Sequence, residues 1–181
     1  MAKKDPFADM PITAALSEWL KQEEWEDEID VKEGRKFAQV VTSVTINDQS
    51  HRMFLEANET NQWFSVYLYS PIKVPPAKMG EMTRLINRVN MRLGLGRLAC
   101  PDDDEANPVQ FLARIDVEGG VLEPKQIGNL VGAAFGTFNP YGSLITTVAL
   151  TKQSAAACWA ELLEEEAAAE KAEQEEGPSE L

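Results

Sequence analysis

Three strand-like runs joined by short polar turns constrain the fold of this chain most. The runs span residues 37–47, 51–57 and 62–70, and Asn47-Asp48-Gln49 and Asn58-Glu59-Thr60-Asn61 supply the turns between them. Turns this short connect antiparallel neighbours, because parallel neighbours need a crossover of about a dozen residues or more. The chain is therefore predicted to contain a three-stranded antiparallel meander.

The side chains of these runs alternate between two faces. In the second run Met53, Leu55 and Ala57 alternate against His51, Arg52 and Glu56. In the third run Phe64, Val66 and Leu68 point one way, and Trp63, Tyr67 and Tyr69 point the other. Because both faces carry large side chains, we expect either that the sheet is covered on both sides or that one side binds something.

Helical periodicity and breakers place the remaining elements. Amphipathic spacing predicts a helix over residues 12–24, starting at Thr13 or Pro11, and a second helix from about residue 77 that Gly94 and Gly96 end. Two more strands are expected at residues 97–100 and 109–117, followed by a helix over 124–137 that Asn139-Pro140 interrupts. Periodicity does not decide between helix and strand for residues 144–150. The fold class is α+β, an antiparallel five-stranded sheet flanked by helices.

The charge of the chain divides it into a neutral core and acidic ends. The 181 residues carry a net charge of −13, and residues 161–181 contain nine Glu against one Lys. We expect a flexible N-terminus over residues 1–11, a single domain over 12–163 and an acidic, partly disordered tail over 164–181. A helix begins near Ser154 with Trp159, Leu162 and Leu163 as its anchors, and beyond Glu166 it is expected to fray.

Composition also bounds location and partners. No secretory signal and no membrane-length apolar run is apparent, and Cys100 and Cys158 form no CxxC pair, which indicates the reducing cytoplasm. The negative charge argues against nucleic acid and against an acidic membrane surface as partners, since phosphate contact needs clustered Lys and Arg.

No catalytic or metal constellation is recognisable. His51 is the single histidine, so a two-histidine metal site and a histidine relay are excluded. Gly94-Leu95-Gly96 follows a helix instead of a strand and is interpreted as a helix C-cap. The Asp102–Glu105 cluster lacks calcium-loop spacing and is interpreted as a solvated loop. We therefore predict no cofactor and no metal, and an enzyme with an unfamiliar carboxylate site is the third possibility behind two binding functions.

Two groups of residues are candidates for binding a partner protein. Arg84, Arg88 and Arg92 recur at four-residue spacing on the second helix and could bind carboxylates, including those of this chain's own tail; the alternative is a solvent face paired with local acids such as Glu81. Trp63, Tyr67 and Tyr69 are the residue types that dominate interface hot spots; the alternative is that a helix covers them.

The order of these elements resembles the bacterial YbjN family over about residues 12–162. The resemblance includes the run Leu85-Ile86-Asn87-Arg88-Val89-Asn90, the segment Leu95–Leu98, the strand Val109–Val117 and the segment at 150–157. It implies a fold similar to the type III secretion chaperones, often dimeric, without catalytic residues. Members have been called sensory transduction regulators, a label that names no mechanism.

These observations lead to one functional hypothesis and one alternative. The first is a non-catalytic cytoplasmic binding module of chaperone or adaptor type. It would recognise a partner protein through its sheet and its arginine-bearing helix, and form a homodimer. The alternative is a signal-sensing regulator that binds a small ligand in an apolar pocket.

Overall fold

The computed structural model describes residues 6–32, 34, 36–101 and 107–176, with side chains described up to residue 172. In chain order the elements are α1 (Pro11–Gln22), β1 (Asp30–Lys32), β2 (Phe37–Ile46), β3 (Gln49–Asn58), β4 (Trp63–Lys73), a 3₁₀ turn (Pro76–Lys78), α2 (Met79–Asn90), β5 (Arg97–Ala99), β6 (Pro108–Asp116), α3 (Pro124–Leu150) and α4 (Ala155–Glu176). The Asp102–Glu105 loop, residues 1–5 of the expected flexible N-terminus and residues 177–181 of the expected tail lie outside the described residues.

The strands form one antiparallel sheet in the order β1-β2-β3-β4-β6-β5. The predicted meander is confirmed as β2-β3-β4. The expected number of five strands is wrong, because β1 pairs with the outer edge of β2 as a sixth strand. Its three residues are all exposed and two are charged, so no hydrophobic alternation marks it in the sequence.

Helices α1, α2 and α3 lie on one face of this sheet. Alternate residues of the strands are fully buried there, among them Leu55, Phe64, Val66 and Phe111. His51 belongs to this face and not to the polar face where the sequence placed it: it is 2% exposed and its ring lies edge-on to Phe138 of α3 at 4.9 Å. The side-chain alternation predicted for β4 is confirmed, with Phe64, Val66 and Leu68 on the helix-covered face.

Helix α3 continues through Asn139-Pro140, so the predicted interruption is wrong and residues 144–150 are helical. A proline inside a helix removes one backbone hydrogen bond and costs about 3 kcal/mol. Buried side chains on both sides of Pro140, Phe138 and Tyr141 among them, keep the helix on the core. The side-chain amide of Asn47 also donates a hydrogen bond to the backbone carbonyl of Asn139 at 2.7 Å. Packing on the core therefore outweighs the local preference.

Helix α2 ends at Asn90, four residues before Gly94, so the interpretation of Gly94 and Gly96 as its C-cap is wrong. Gly96 has φ +75°, and a Cβ on it would overlap the ring of Phe111. The Asn90 side chain accepts from the backbone N–H of Leu98 at 2.7 Å and donates to its carbonyl at 3.0 Å. This side chain thus acts as a strand partner and holds β5 against α2.

Two helices receive N-terminal caps from distant carboxylates. Helix α1 starts at Pro11, and Glu59 in the β3–β4 turn accepts hydrogen bonds from the N–H and the hydroxyl of Thr13 at 2.7 and 2.8 Å. Glu81 of α2 accepts from the N–H of Ala155, the first residue of α4, at 2.8 Å. Helix α4 is described to Glu176.

Candidate functional site

The sheet face opposite the helices carries the most distinctive set of exposed side chains. Strand register arranges them in rows that cross β2, β3, β4 and β6. We call this set, with Arg97 of β5, the open sheet face: Phe37, Gln39, Val41, Ser43, Arg52, Phe54, Glu56, Asn58, Trp63, Ser65, Tyr67, Tyr69, Arg97, Gln110, Leu112, Arg114 and Asp116. No helix in the described part of the chain packs against it, because the helices contact the strands through the other face.

Aromatic rings form two groups on this face, one on each side of its central row. Tyr67 and Tyr69 are stacked with centroids 6.4 Å apart, and Tyr69 lies edge-on to Phe54 at 5.4 Å. Trp63 lies edge-on to Phe37 at 6.3 Å. All five rings are half-buried, so each keeps part of its surface exposed to solvent. The sequence-predicted residues Trp63, Tyr67 and Tyr69 thus share one surface that described helices leave uncovered.

The guanidiniums of two arginines lie over these rings. The guanidinium of Arg114 sits 4.1 Å from the centroid of Trp63 and donates to the Tyr67 hydroxyl at 3.0 Å. The guanidinium of Arg52 sits 4.9 Å from the centroid of Phe54. Neither forms a salt bridge with a carboxylate in the described residues. Stacking on aromatic rings restricts both guanidiniums while their remaining N–H donors stay available.

A polar row crosses the centre of the face between the aromatic rows. Gln39, Glu56, Ser65 and Arg114 are in register on four successive strands. Burial raises the pKa of Glu56, and the hydrogen bond from Gln39 at 3.0 Å and the charge of Arg114 offset part of this effect. Ser65 is fully buried, and its hydroxyl has no hydrogen-bond partner among the described residues.

Of the three arginines predicted on the second helix, Arg84 and Arg88 lie on α2, whereas Arg92 follows its end at Asn90. All three lie on the helical side of the sheet, so the structure does not bring them together with the aromatic rings. Arg84 pairs with Glu81 at 2.5 Å, which is the local pairing considered as the alternative. Arg88 forms no salt bridge within the described residues and lines a groove of about 450 Å³ with Arg84, Ser154 and Ala156.

Arg92 is engaged by α4 inside the same chain. Its guanidinium binds both carboxylate oxygens of Glu166 at 2.8 and 2.9 Å and lies 5.4 Å from the ring of Trp159. The hydrogen bond from Arg92 lowers the pKa of Glu166. Glu166, which belongs to the predicted tail, therefore binds one of the three arginines, Arg92.

Sequence reasoning missed Phe37, Phe54, Arg52, Arg114 and Ser65 as members of the aromatic surface. Their parity along each strand could have placed them on that side, since buried and exposed residues alternate strictly in β3 and β6. Which strands lie side by side and in what register had no such signal. The pairing of β4 with β6 across the intervening α2 is what brings Arg114 to Trp63.

Other site types find no support in the described ranges. These ranges contain no cluster of three His, Cys, Asp or Glu residues that could hold a metal. None of their helices is both long enough and apolar enough to cross a bilayer.

Comparisons with known proteins identify the family. A family model described as "Putative bacterial sensory transduction regulator", YbjN, matches residues 13–145. The crystal structure of YbjN from E. coli, described as "a putative transcription regulator", superposes with a TM-score of 0.50 at 10% identity, over 74% of this chain and 93% of that one.

A crystal structure of an uncharacterized protein from Methanothermobacter thermautotrophicus superposes with a TM-score of 0.50 at 15% identity, over 76% of this chain and 98% of that one. No curated protein matches the chain. These structures share the fold, and the family model covers well over half of the 181 residues. The chain belongs to the YbjN family.

Proposed function

We propose that this protein is a non-catalytic binding module, chaperone- or adaptor-like, whose open sheet face recognises a partner protein. The observation that carries the proposal is the set of five half-buried aromatic rings on a face that the described helices leave uncovered. Trp, Tyr and Arg dominate the energetics of protein interfaces, and this face combines all three.

The face, and not an edge of the sheet, is the better binding surface. The edge strands β1 and β5 have three residues each, and β1 covers only Phe37–Gln39 of β2. The outer edge of β2 is unpaired over residues 40–46 among the described residues, but these seven residues include no aromatic ring. The central strands β2, β3 and β4 have ten, ten and eleven residues and display the aromatic rows. A partner segment therefore lies across the strands instead of extending the sheet.

The arginine-bearing helix is proposed as a second contact. Arg84 and Arg88 are exposed on the helical side, so a segment bound to the aromatic rings does not reach them. The cytoplasm is the proposed location, and it is supported by Cys100 and Cys158 not being joined in a disulfide. A homodimer and a role like that of type III secretion chaperones remain proposals that follow from the family resemblance.

The descriptions of the family and of the E. coli structure name regulators, and we propose that any regulation by this chain acts through protein contact. The open sheet face holds three arginines and two acids, a smaller positive charge than a DNA-binding surface uses. The net charge of −13 opposes binding of a polyanion further.

A differential pull-down tests the proposal. The full chain, a Phe54→Ala, Tyr67→Ala variant and a Met91→Ala, Val121→Ala control are each used as bait in lysate of the source organism, with quantitative mass spectrometry. The control residues are 88% and 76% exposed and lie away from the open sheet face. A protein retained by the wild type and the control but lost from the aromatic variant supports the proposal. Equal retention by all three baits refutes it.

Binding of a small ligand is the second candidate, and a groove at one end of the open sheet face is where it would act. This groove has a volume of about 630 Å³ and is lined by Lys32, Phe37, Gln39, Glu56 and Asn58, among others. A carboxyl with a raised pKa in a groove is a feature of ligand sites. The lining mixes polar and apolar groups, unlike the apolar pocket expected from the sequence. Thermal stabilisation by a metabolite that disappears in Glu56→Gln would favour this function.

A further inference from the structure

The open sheet face is locally cationic in a chain that is acidic as a whole. Arg52, Arg97 and Arg114 project from it without a salt bridge in the described residues. Two acids, Glu56 and Asp116, lie on the same face. Burial disfavours the charged form of this glutamate. A partner with carboxylates is thus attracted at this face and repelled by the rest of a protein with net charge −13.

The register of the strands fixes the separation of Arg52 and Arg114. Arg52 pairs with Tyr69 and Arg114 pairs with Ser65, so they lie two strand spacings apart across the sheet and four residues apart along it. With about 4.8 Å between strands and about 3.4 Å per residue, their Cα atoms are about 17 Å apart. At about 1.5 Å per residue, an α-helix covers this distance in about three turns.

The surface between the two arginines is apolar. Phe54, Tyr67 and Leu112 form the row that lies between the row of Arg52 and the row of Arg114. Arg97 of β5 ends this row beside Leu112. Four strands span about 14 Å, which accommodates a single helix about 10–12 Å in diameter. On the opposite face of the sheet, α3 already contacts β2, β4 and β6.

We propose that the partner segment is an acidic amphipathic helix of about three turns, with an apolar stripe on Phe54, Tyr67 and Leu112 and carboxylates near its two ends bound by Arg52 and Arg114. This inference rests on the proposed function and adds the chemistry of the partner. Each arginine offers paired N–H donors from a position that its aromatic ring already restricts, which lowers the entropy lost on binding.

A selection experiment tests the chemistry directly. A random 16-residue peptide library displayed on phage is selected on the immobilised full chain, and the enriched pool is retested on three variants: Arg52→Glu with Arg114→Glu, Arg84→Glu with Arg88→Glu, and Phe54→Ala with Tyr67→Ala. The first two pairs change the net charge equally and sit on opposite sides of the sheet. Circular dichroism and melting temperature confirm that each variant is folded.

We expect enriched peptides with net negative charge, helical apolar periodicity and two acids about eleven residues apart. Their affinity should fall at least about tenfold in Arg52→Glu, Arg114→Glu and remain within about twofold of wild type in Arg84→Glu, Arg88→Glu. Peptides in which the two acids are changed to Lys should bind the Arg52→Glu, Arg114→Glu variant more tightly than the original peptides do.

Three results overturn the inference. If the enriched peptides show no acidic bias but still fail to bind the Phe54→Ala, Tyr67→Ala variant, the charge claim is refuted and the proposed function stands. If the enriched peptides bind that variant as well as wild type, the proposed function itself is refuted. Tighter binding of a 12-residue oligouridylate, abolished by Arg52→Glu, Arg114→Glu, assigns the face to single-stranded nucleic acid. A dimer in sedimentation that the same variant dissociates assigns the face to a second copy of the chain.

Discussion

Replacing Gly96 by alanine should destabilise the domain by about 2–5 kcal/mol. Gly96 has φ +75°, a left-handed conformation that costs an L-residue about 1–2 kcal/mol. Its new Cβ would lie 2.5 Å from Cε2 of Phe111 and 3.1 Å from the carbonyl oxygen of Leu112. Phe111 is fully buried, so its ring cannot move into solvent, and overpacking of this kind costs about 1–3 kcal/mol.

Urea unfolding measures this cost, with Gly94→Ala as the matched control. A methyl group at Gly94 would meet no described atom within 4 Å, and the φ of Gly94 is not in the left-handed range, so its replacement should change stability by less than about 1 kcal/mol. The double variant Gly96→Ala, Phe111→Leu should recover part of the loss, because the smaller side chain removes the overlap and leaves the backbone strain. A Gly96→Ala midpoint within error of the Gly94→Ala midpoint would refute the packing argument.

Three further predictions concern buried or partly buried polar groups. Glu59→Ala should lower stability by about 1–3 kcal/mol, because the buried N–H and hydroxyl of Thr13 lose their acceptor, whereas Glu59→Gln should retain most of it in urea melts. Burial lowers the pKa of His51, so below about pH 6.5 the unfolded chain binds a proton more readily than the folded chain does. The free energy of unfolding should therefore decrease as the pH is lowered from 7.5 to 5.5. A His51→Gln variant with the same slope over this range would contradict the argument. Burial raises the pKa of Glu56, so the contribution of its protonated form to stability is full below pH 4.5 and is lost as the pH rises through the folded-state pKa. The Glu56→Gln variant should therefore gain stability relative to wild type as the pH increases. A difference in unfolding free energy between the two proteins that stays constant across pH 4–8 would refute the assignment.

The position of β5 shows how a recognisable sequence pattern can have an unexpected physical cause. The resemblance to the YbjN family included the central helix and the segment Leu95–Leu98, and the family is confirmed. Glycines after a helix predict a C-cap. At position 96, however, glycine is needed because a Cβ there would overlap the ring of Phe111 on β6. Asn90 binds both backbone groups of Leu98, so the spacing between helix and strand reflects a side chain that replaces a strand partner. Local rules cannot distinguish these roles, because both depend on contacts distant in the sequence.

Helix α3 shows the same limit. Asn139-Pro140 is a strong local stop signal, and it failed because α3 packs on the sheet on both sides of the proline. The strand β1 was missed for the opposite reason, since three exposed residues carry no burial pattern and pair only because β2 has a free edge.

For the candidate site, the sequence by itself determined that Trp63, Tyr67 and Tyr69 share one side of a strand, because side chains alternate strictly along β4. It also determined the antiparallel meander, because the connecting turns are too short for any other arrangement. The tertiary structure alone decided that helices cover only the other face, that Arg52 and Arg114 join the aromatic rings, and that Arg84, Arg88 and Arg92 lie elsewhere. Alternation is a property of neighbours along the chain, whereas register, strand order and helix placement depend on packing between segments far apart in it.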